Sequence, residues 1–231
     1  MFLRSFSSAA RLTSAAAVTG LTCLLSTLPI AQGLPVAGAA PCSDVEVVFA
    51  RGTFAPPGLG GIGQDFVNAL RSKVGTKSVN VYAVVYPAST NFPTAVDGIR
   101  DAANHIEDTA TNCPNTKMVL AGYSQGAAVI GFVTADAVPS GVDPADVPKP
   151  MPANVADHVA AVALLGKPDP DFMKMIGQPA VSVGPRYAGK ALELCAPGDP
   201  ICSDGKDGAA HTSYTTIGLT DQAAAFAAGR V

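Results

Sequence analysis

The run Gly122-Tyr123-Ser124-Gln125-Gly126 offers this chain covalent chemistry. A serine between glycines that close a strand and open a helix is the pattern of a nucleophile elbow. The hydroxyl then stands on a sharp turn, and backbone N–H groups point to where an oxyanion would form. The flanks fit: Lys117–Ala121 reads as a buried strand and Ala127–Val138 as an apolar helix. A serine hydroxyl needs a base, and the chain has three histidines. His105 falls on the polar side of its helical pattern, opposite Val96, and reads as solvated. His158 precedes a core strand, at the end away from where open parallel sheets bind ligands. His211 follows Gly208-Ala209-Ala210 in a late loop and fits the chain order serine, carboxylate, histidine.

The carboxylate that orients the imidazole must then lie between Ser124 and His211. Asp199 stands out, because it follows a short strand and sits between Cys195 and Cys202, where a closed loop would hold it still. Asp169 and Asp171, after the fourth strand, remain alternatives. Asp204 and Asp207 read as solvated loop charges.

The chain has five cysteines, and Cys23 lies in a segment expected to be removed. The remaining four suggest two disulfides, with three possible connectivities. Cys195 and Cys202 flank the turn-forming run Pro197-Gly198-Asp199-Pro200 and are paired here, which leaves Cys42 with Cys113. Their spacing is poor for zinc, and no metal is expected.

Five strands alternate with helices to position these groups. The strands are Val45–Ala50, Val79–Tyr86, Lys117–Ala121, Val159–Leu165 and a short Ala191–Leu194. Helical spacing appears at Phe66, Val67, Leu70 and Val74, again at Val96, Ile99, Ala103 and Ile106, and in Thr220–Ala228. Arg51–Gly63 reads as a Gly/Pro-rich loop and Pro139–Pro152 as a Pro-rich surface connection. Repeated strand–loop–helix units predict a parallel sheet covered on both faces. Nothing marks a second domain.

Arg4 and Arg11 are the sole charges before Asp44; a small-apolar stretch, Ala15–Ile30, and Ala37-Gly38-Ala39 follow. That order predicts a secretory signal peptide over residues 1–40 and a mature domain over 41–231, hence secretion. Hydrophobic residues form 48% of the 231, which excludes a disordered chain. A net charge of -3 leaves no basic footprint for nucleic acid. No apolar run of about 20 residues follows residue 40, so no stable membrane insertion is expected.

These pieces resemble the cutinase family, and within it the actinobacterial, mycobacterial-type cutinase-like serine esterases. The resemblance rests on Ala50-Arg51-Gly52-Thr53 after the first strand, the Gly122–Gly126 run, Cys195 to Cys202 enclosing Asp199, and His211. It implies a compact α/β-hydrolase, a three-layer sandwich around a five-stranded parallel sheet, with no full lid. It implies a secreted esterase that hydrolyses carboxylic esters through an acyl-enzyme with Ser124, Asp199 and His211. The substrates implied are cutin-like polyester, short- and medium-chain acyl esters, and lipids. The Thr53 and Gln125 backbone N–H groups would form the oxyanion hole, assisted by the Thr53 hydroxyl. No cofactor and a monomeric state are expected. Asn91-Phe92-Pro93 and Ala209-Ala210 are expected as apolar lips of a shallow cleft, with Phe172, Met173 and Ile176 nearby. The stretch Asp169–Lys190 is expected to tune acyl selectivity. Two other readings use the same residues. In an envelope-lipid acyltransferase an alcohol replaces water, which product analysis distinguishes. A catalytically silent secreted binding or adhesion protein would not label with a fluorophosphonate.

Overall fold

The computed structural model describes residues 41–231. The expected signal peptide and Cys23 lie outside the described residues. Strands β1 (Val45–Ala50), β2 (Val79–Ala83), β3 (Lys117–Tyr123), β4 (Val159–Leu165) and β5 (Ala191–Leu194) form one sheet in the order β2-β1-β3-β4-β5. Every pairing is parallel. The near-continuous apolar runs of β1, β3 and β4 follow from this arrangement, since a parallel sheet is covered on both faces.

Alternation along each strand divides the core in two. Val48, Leu120, Val162 and Leu164 point to one face, which is covered by α2 (Ala95–Asn112), α3 (Gln125–Val133) and α5 (Pro185–Ala188). Val47, Phe49, Ala121 and Leu165 point to the other, under α1 (Gly60–Lys73) and α6 (Leu219–Ala228). The result is a three-layer α/β-hydrolase sandwich. A short α4 (Pro170–Met175) follows β4. No helix among the described residues is long and apolar enough to cross a membrane.

Several element boundaries differ from the sequence reading, two of them through side-chain competition. β2 ends at Ala83 rather than Tyr86. Val85 N–H donates to Asp101 Oδ2 at 2.7 Å instead of to a strand, and the Tyr86 carbonyl accepts from Arg51 Nη2 at 2.6 Å. α3 stops at Val133 rather than Val138. There the Thr134 hydroxyl donates back to the Ile130 and Gly131 carbonyls, while its own carbonyl accepts Gly184 N–H. α1 already begins at Gly60, inside the expected loop.

Two disulfides close the described chain. Cys42–Cys113 ties the chain just before β1 to the end of α2, and Cys195–Cys202 closes the loop after β5.

Candidate active site

Parallel strands carry their ligand groups at their carboxyl edge, near the point where the chain switches sides of the sheet. Here the switch lies between β1, which connects outward to β2, and its other neighbour β3. The loops leaving these two strands carry Thr53 and Ser124.

Ser124 caps α3 with φ 55° and ψ -121°, a conformation disfavoured for a residue with a Cβ. Holding it costs about 1–3 kcal/mol, supplied by its surroundings. Its N–H donates to the Leu165 carbonyl at the end of β4 at 2.9 Å. The two glycines of the motif make the turn possible. A Cβ on Gly122 would strike the Gly126 carbonyl, and one on Gly126 would strike the Ala50 carbonyl. β1, β3 and α3 therefore meet backbone to backbone at this corner.

The Ser124 hydroxyl lies 2.8 Å from His211 Nε2. On the other side of the ring, His211 Nδ1 lies 2.8 Å from Asp199 Oδ2. His211 sits in the short 3-10 turn Ala210–Thr212, and its ring stacks on Tyr123 with centroids 5.1 Å apart. The Tyr123 hydroxyl also donates to the His211 carbonyl. Asp199 is fully buried, and both of its oxygens accept hydrogen bonds. Oδ1 takes the Ile201 N–H at 2.9 Å, and Oδ2 takes the Tyr214 hydroxyl at 2.7 Å as well as His211. Burial, with Asp199 alongside, pushes the Tyr214 phenol above the ordinary tyrosine range, so it stays a donor at any working pH. Burial likewise pushes Tyr123 up to about 12.

Thr53 and Gln125 both line the cavity at Ser124, and neither N–H appears in a turn or loop hydrogen bond among the described residues. The Thr53 hydroxyl is turned to Gln125 Oε1 at 3.4 Å, and Gln125 Nε2 donates to the Ser89 carbonyl at 3.0 Å. In this position the Thr53 hydroxyl pins the Gln125 side chain. Cys195, Asp199 and Cys202 converge, but the two sulfurs are bonded to each other and Asp199 is committed to three donors. The cluster has no thiolate to offer a metal.

The other candidates go elsewhere. Asp169 caps α4, accepting the Phe172 N–H at 2.7 Å, and Asp171 lies in the first turn of that helix. Asp207 accepts the Ala209 N–H. His158 meets the Pro114 carbonyl. His105 is not solvated as expected. Its Nε2 lies 2.8 Å from Glu46 Oε1, and its ring stacks flat on Tyr82 at 3.6 Å. The sequence signal for this pair is Glu46 itself, a carboxylate inside an otherwise apolar strand.

The cleft also differs from the expected shallow one. Phe92 and Pro93 line it, as do Phe172, Met173 and Ile176. Ala210 does not; it is buried in the core beneath α6. The Pro139–Pro152 connection, read as surface, contributes Pro139, Val142, Val147 and Met151 to the lining. Tyr214 and Tyr123 were missed as supports of the site. Tyr214 stands three residues after His211, one turn on, and that spacing is the signal that could have found it.

The profile of the Cutinase family matches residues 41–231, the whole described chain. This chain belongs to the cutinase family. Among its cutinase relatives, Culp5 of Mycobacterium tuberculosis, named a probable carboxylesterase, is 60% identical over 168 residues, covering 73% of this chain and 96% of its own. Culp4 of the same organism, named a phospholipase, is 45% identical over 225 residues, covering 96% and 93%. Among solved structures, Trichoderma reesei cutinase in complex with a C11Y4 phosphonate inhibitor superposes with a TM-score of 0.61 at 34% identity, covering 82% of this chain and 77% of that one.

Proposed function

We propose that this cutinase-family chain is a secreted serine esterase that cleaves carboxylic esters through an acyl-enzyme on Ser124. The coarse activity, cutinase-like carboxylic ester hydrolysis, follows from the family and from relatives named carboxylesterases. The observation that carries the finer reading is the unbroken chain of contacts from Ser124 Oγ through His211 to Asp199.

In the first half-reaction His211 Nε2 takes the serine proton as Oγ adds to the ester carbonyl. Asp199 holds the ring with Nδ1 protonated and balances the imidazolium charge. The oxyanion is received by the N–H groups of Thr53 and Gln125. Collapse breaks the ester C–O bond, and the imidazolium returns its proton to the departing alcohol. Water then repeats the sequence on the acyl-enzyme, releasing the acid and restoring Ser124. The chemistry closes on the chain's own residues. Two disulfides fit an oxidising, extracellular setting, with residues 1–40 as the export signal and 41–231 as the mature, monomeric domain.

Ser124→Ala tests the assignment. Hydrolysis of a butanoyl ester should fall at least a thousandfold, in line with losses on removing a triad serine, and labelling by a fluorophosphonate should vanish. A variant keeping more than about 1% of the activity overturns the nucleophile.

A further inference from the structure

A chamber of about 520 Å³ opens at Ser124 and His211. Its inner wall is a single stripe of α3: Gln125, Ala128, Val129, Phe132 and Val133, at steps of three and four residues. α3 starts at the serine, so the stripe runs away from the reacting hydroxyl for roughly 12 Å at the helical rise. Val96 and Ile99 of α2 face it, and α4 with its C-cap adds Phe172, Met173 and Ile176. The outer wall is the connection after α3, through Val138, Val142, Val147 and Met151. No carboxylate lines it among the described residues; its one cationic group is the exposed Lys149, and His211 stands at the serine end.

The far side of this wall is different in kind. A second cavity shares Val133, Ala135, Pro150 and Met151 with the chamber but carries Asp136 and Arg186. An alkyl chain that advances along α3 therefore meets a stop at Pro150–Met151, with charge behind it.

Size decides what fits. An extended chain advances roughly 1.2 Å per bond, so a 12 Å stripe spans about ten carbons. By volume, at about 30 Å³ per heavy atom, the chamber takes roughly 17 atoms. We propose that this chamber holds the acyl chain of the substrate, that it takes a straight chain of up to about ten carbons, and that the 135–151 connection is its specificity-determining wall. The inference rests on Ser124 as the nucleophile and deepens that reading to the acyl class. It replaces the expected shallow cleft with lips at Ala209–Ala210.

The first test reads binding without catalysis. Straight-chain carboxylates from butanoate to dodecanoate are titrated calorimetrically into the Ser124→Ala protein. Affinity should rise roughly two- to fourfold per added carbon, the upper figure being full methylene burial, through decanoate. The second reads kcat/KM for 4-nitrophenyl esters of the same chain lengths. Val142→Trp, which fills the outer wall, should lower the dodecanoyl-to-butanoyl ratio at least tenfold. Phe132→Ala, which lengthens the space, should move the optimum to longer chains; it carries the test if the tryptophan variant does not fold. A rising carboxylate series with no ester cleaved sinks the nucleophile and leaves the chamber. Short esters cleaved, with both series flat beyond hexanoyl, sinks the chamber and leaves the nucleophile.

Discussion

Tyr214 donates its hydroxyl to Asp199 Oδ2, the same oxygen that receives His211 Nδ1. One carboxylate oxygen thus divides its charge between a phenol and the imidazole. Tyr214→Phe removes a hydrogen bond to a charged group, worth about 1.5–3 kcal/mol, so kcat/KM should fall ten- to hundredfold. The loss should fall on kcat, with KM near the wild-type value. A variant that merely melts earlier, with kcat unchanged below its Tm, would reduce Tyr214 to packing.

The two disulfides should fail differently. Cys195–Cys202 closes a short loop around Asp199, and the chain-entropy relation gives it roughly 2.5 kcal/mol. Cys42–Cys113 closes a long loop, roughly 4 kcal/mol on the same relation, at the opposite edge of the sheet. Replacing Cys195 and Cys202 by alanine should lower kcat more than it lowers Tm. The Cys42/Cys113 double variant should lower Tm more and leave kcat near the wild-type value. Equal effects of the two on kcat would argue against a positioning role for the Asp199 loop.

Glu46 supplies a pH signature of stability. Burial alone would raise its pKa, but the His105 contact and charge, Thr109 and Asn80 outweigh burial and hold it below the ordinary value of 4.5. A carboxylate depressed in the folded state stabilises the fold above its unfolded pKa, and that contribution is lost as pH falls through the folded one. Urea unfolding should therefore show stability declining below about pH 4.5. Glu46→Gln should be less stable at pH 7 by about 1–3 kcal/mol and decline less steeply on acidification. Parallel pH slopes for the two proteins would refute this.

The elements that carry short-range signals were legible in the sequence. The apolar runs of β1, β3 and β4 announce strands buried on both sides, and Gly122 to Gly126 announces a turn that only small residues can make. Candidate partners for Ser124 could be ranked by chain order and by the loop around Asp199. Side-chain relationships across the fold could not. Glu46 and His105 are 59 residues apart, and their contact exists because α2 lies across β1. The hydroxyl of Tyr214 reaches Asp199 because the chain turns once after His211. The 135–151 connection has no periodicity, so nothing in its residues announced that it folds back along α3. Its prolines read equally well as surface.

The backbone contact of β1, β3 and α3 at Gly122 and Gly126 also divides where this protein can change. At that corner the Ser124 turn and the Thr53 loop are parts of one rigid joint, and a Cβ added at Gly122 or Gly126 meets a carbonyl. The chamber's outer wall is the reverse: irregular chain from 134 to 152, with no strand partner to keep in register. Insertions, deletions and substitutions there alter the room for substrate without moving the hydroxyl. Directed evolution of acyl preference should therefore concentrate its diversity in the connection and leave the glycine corner untouched, which makes the wall the adaptable half of an otherwise constrained enzyme.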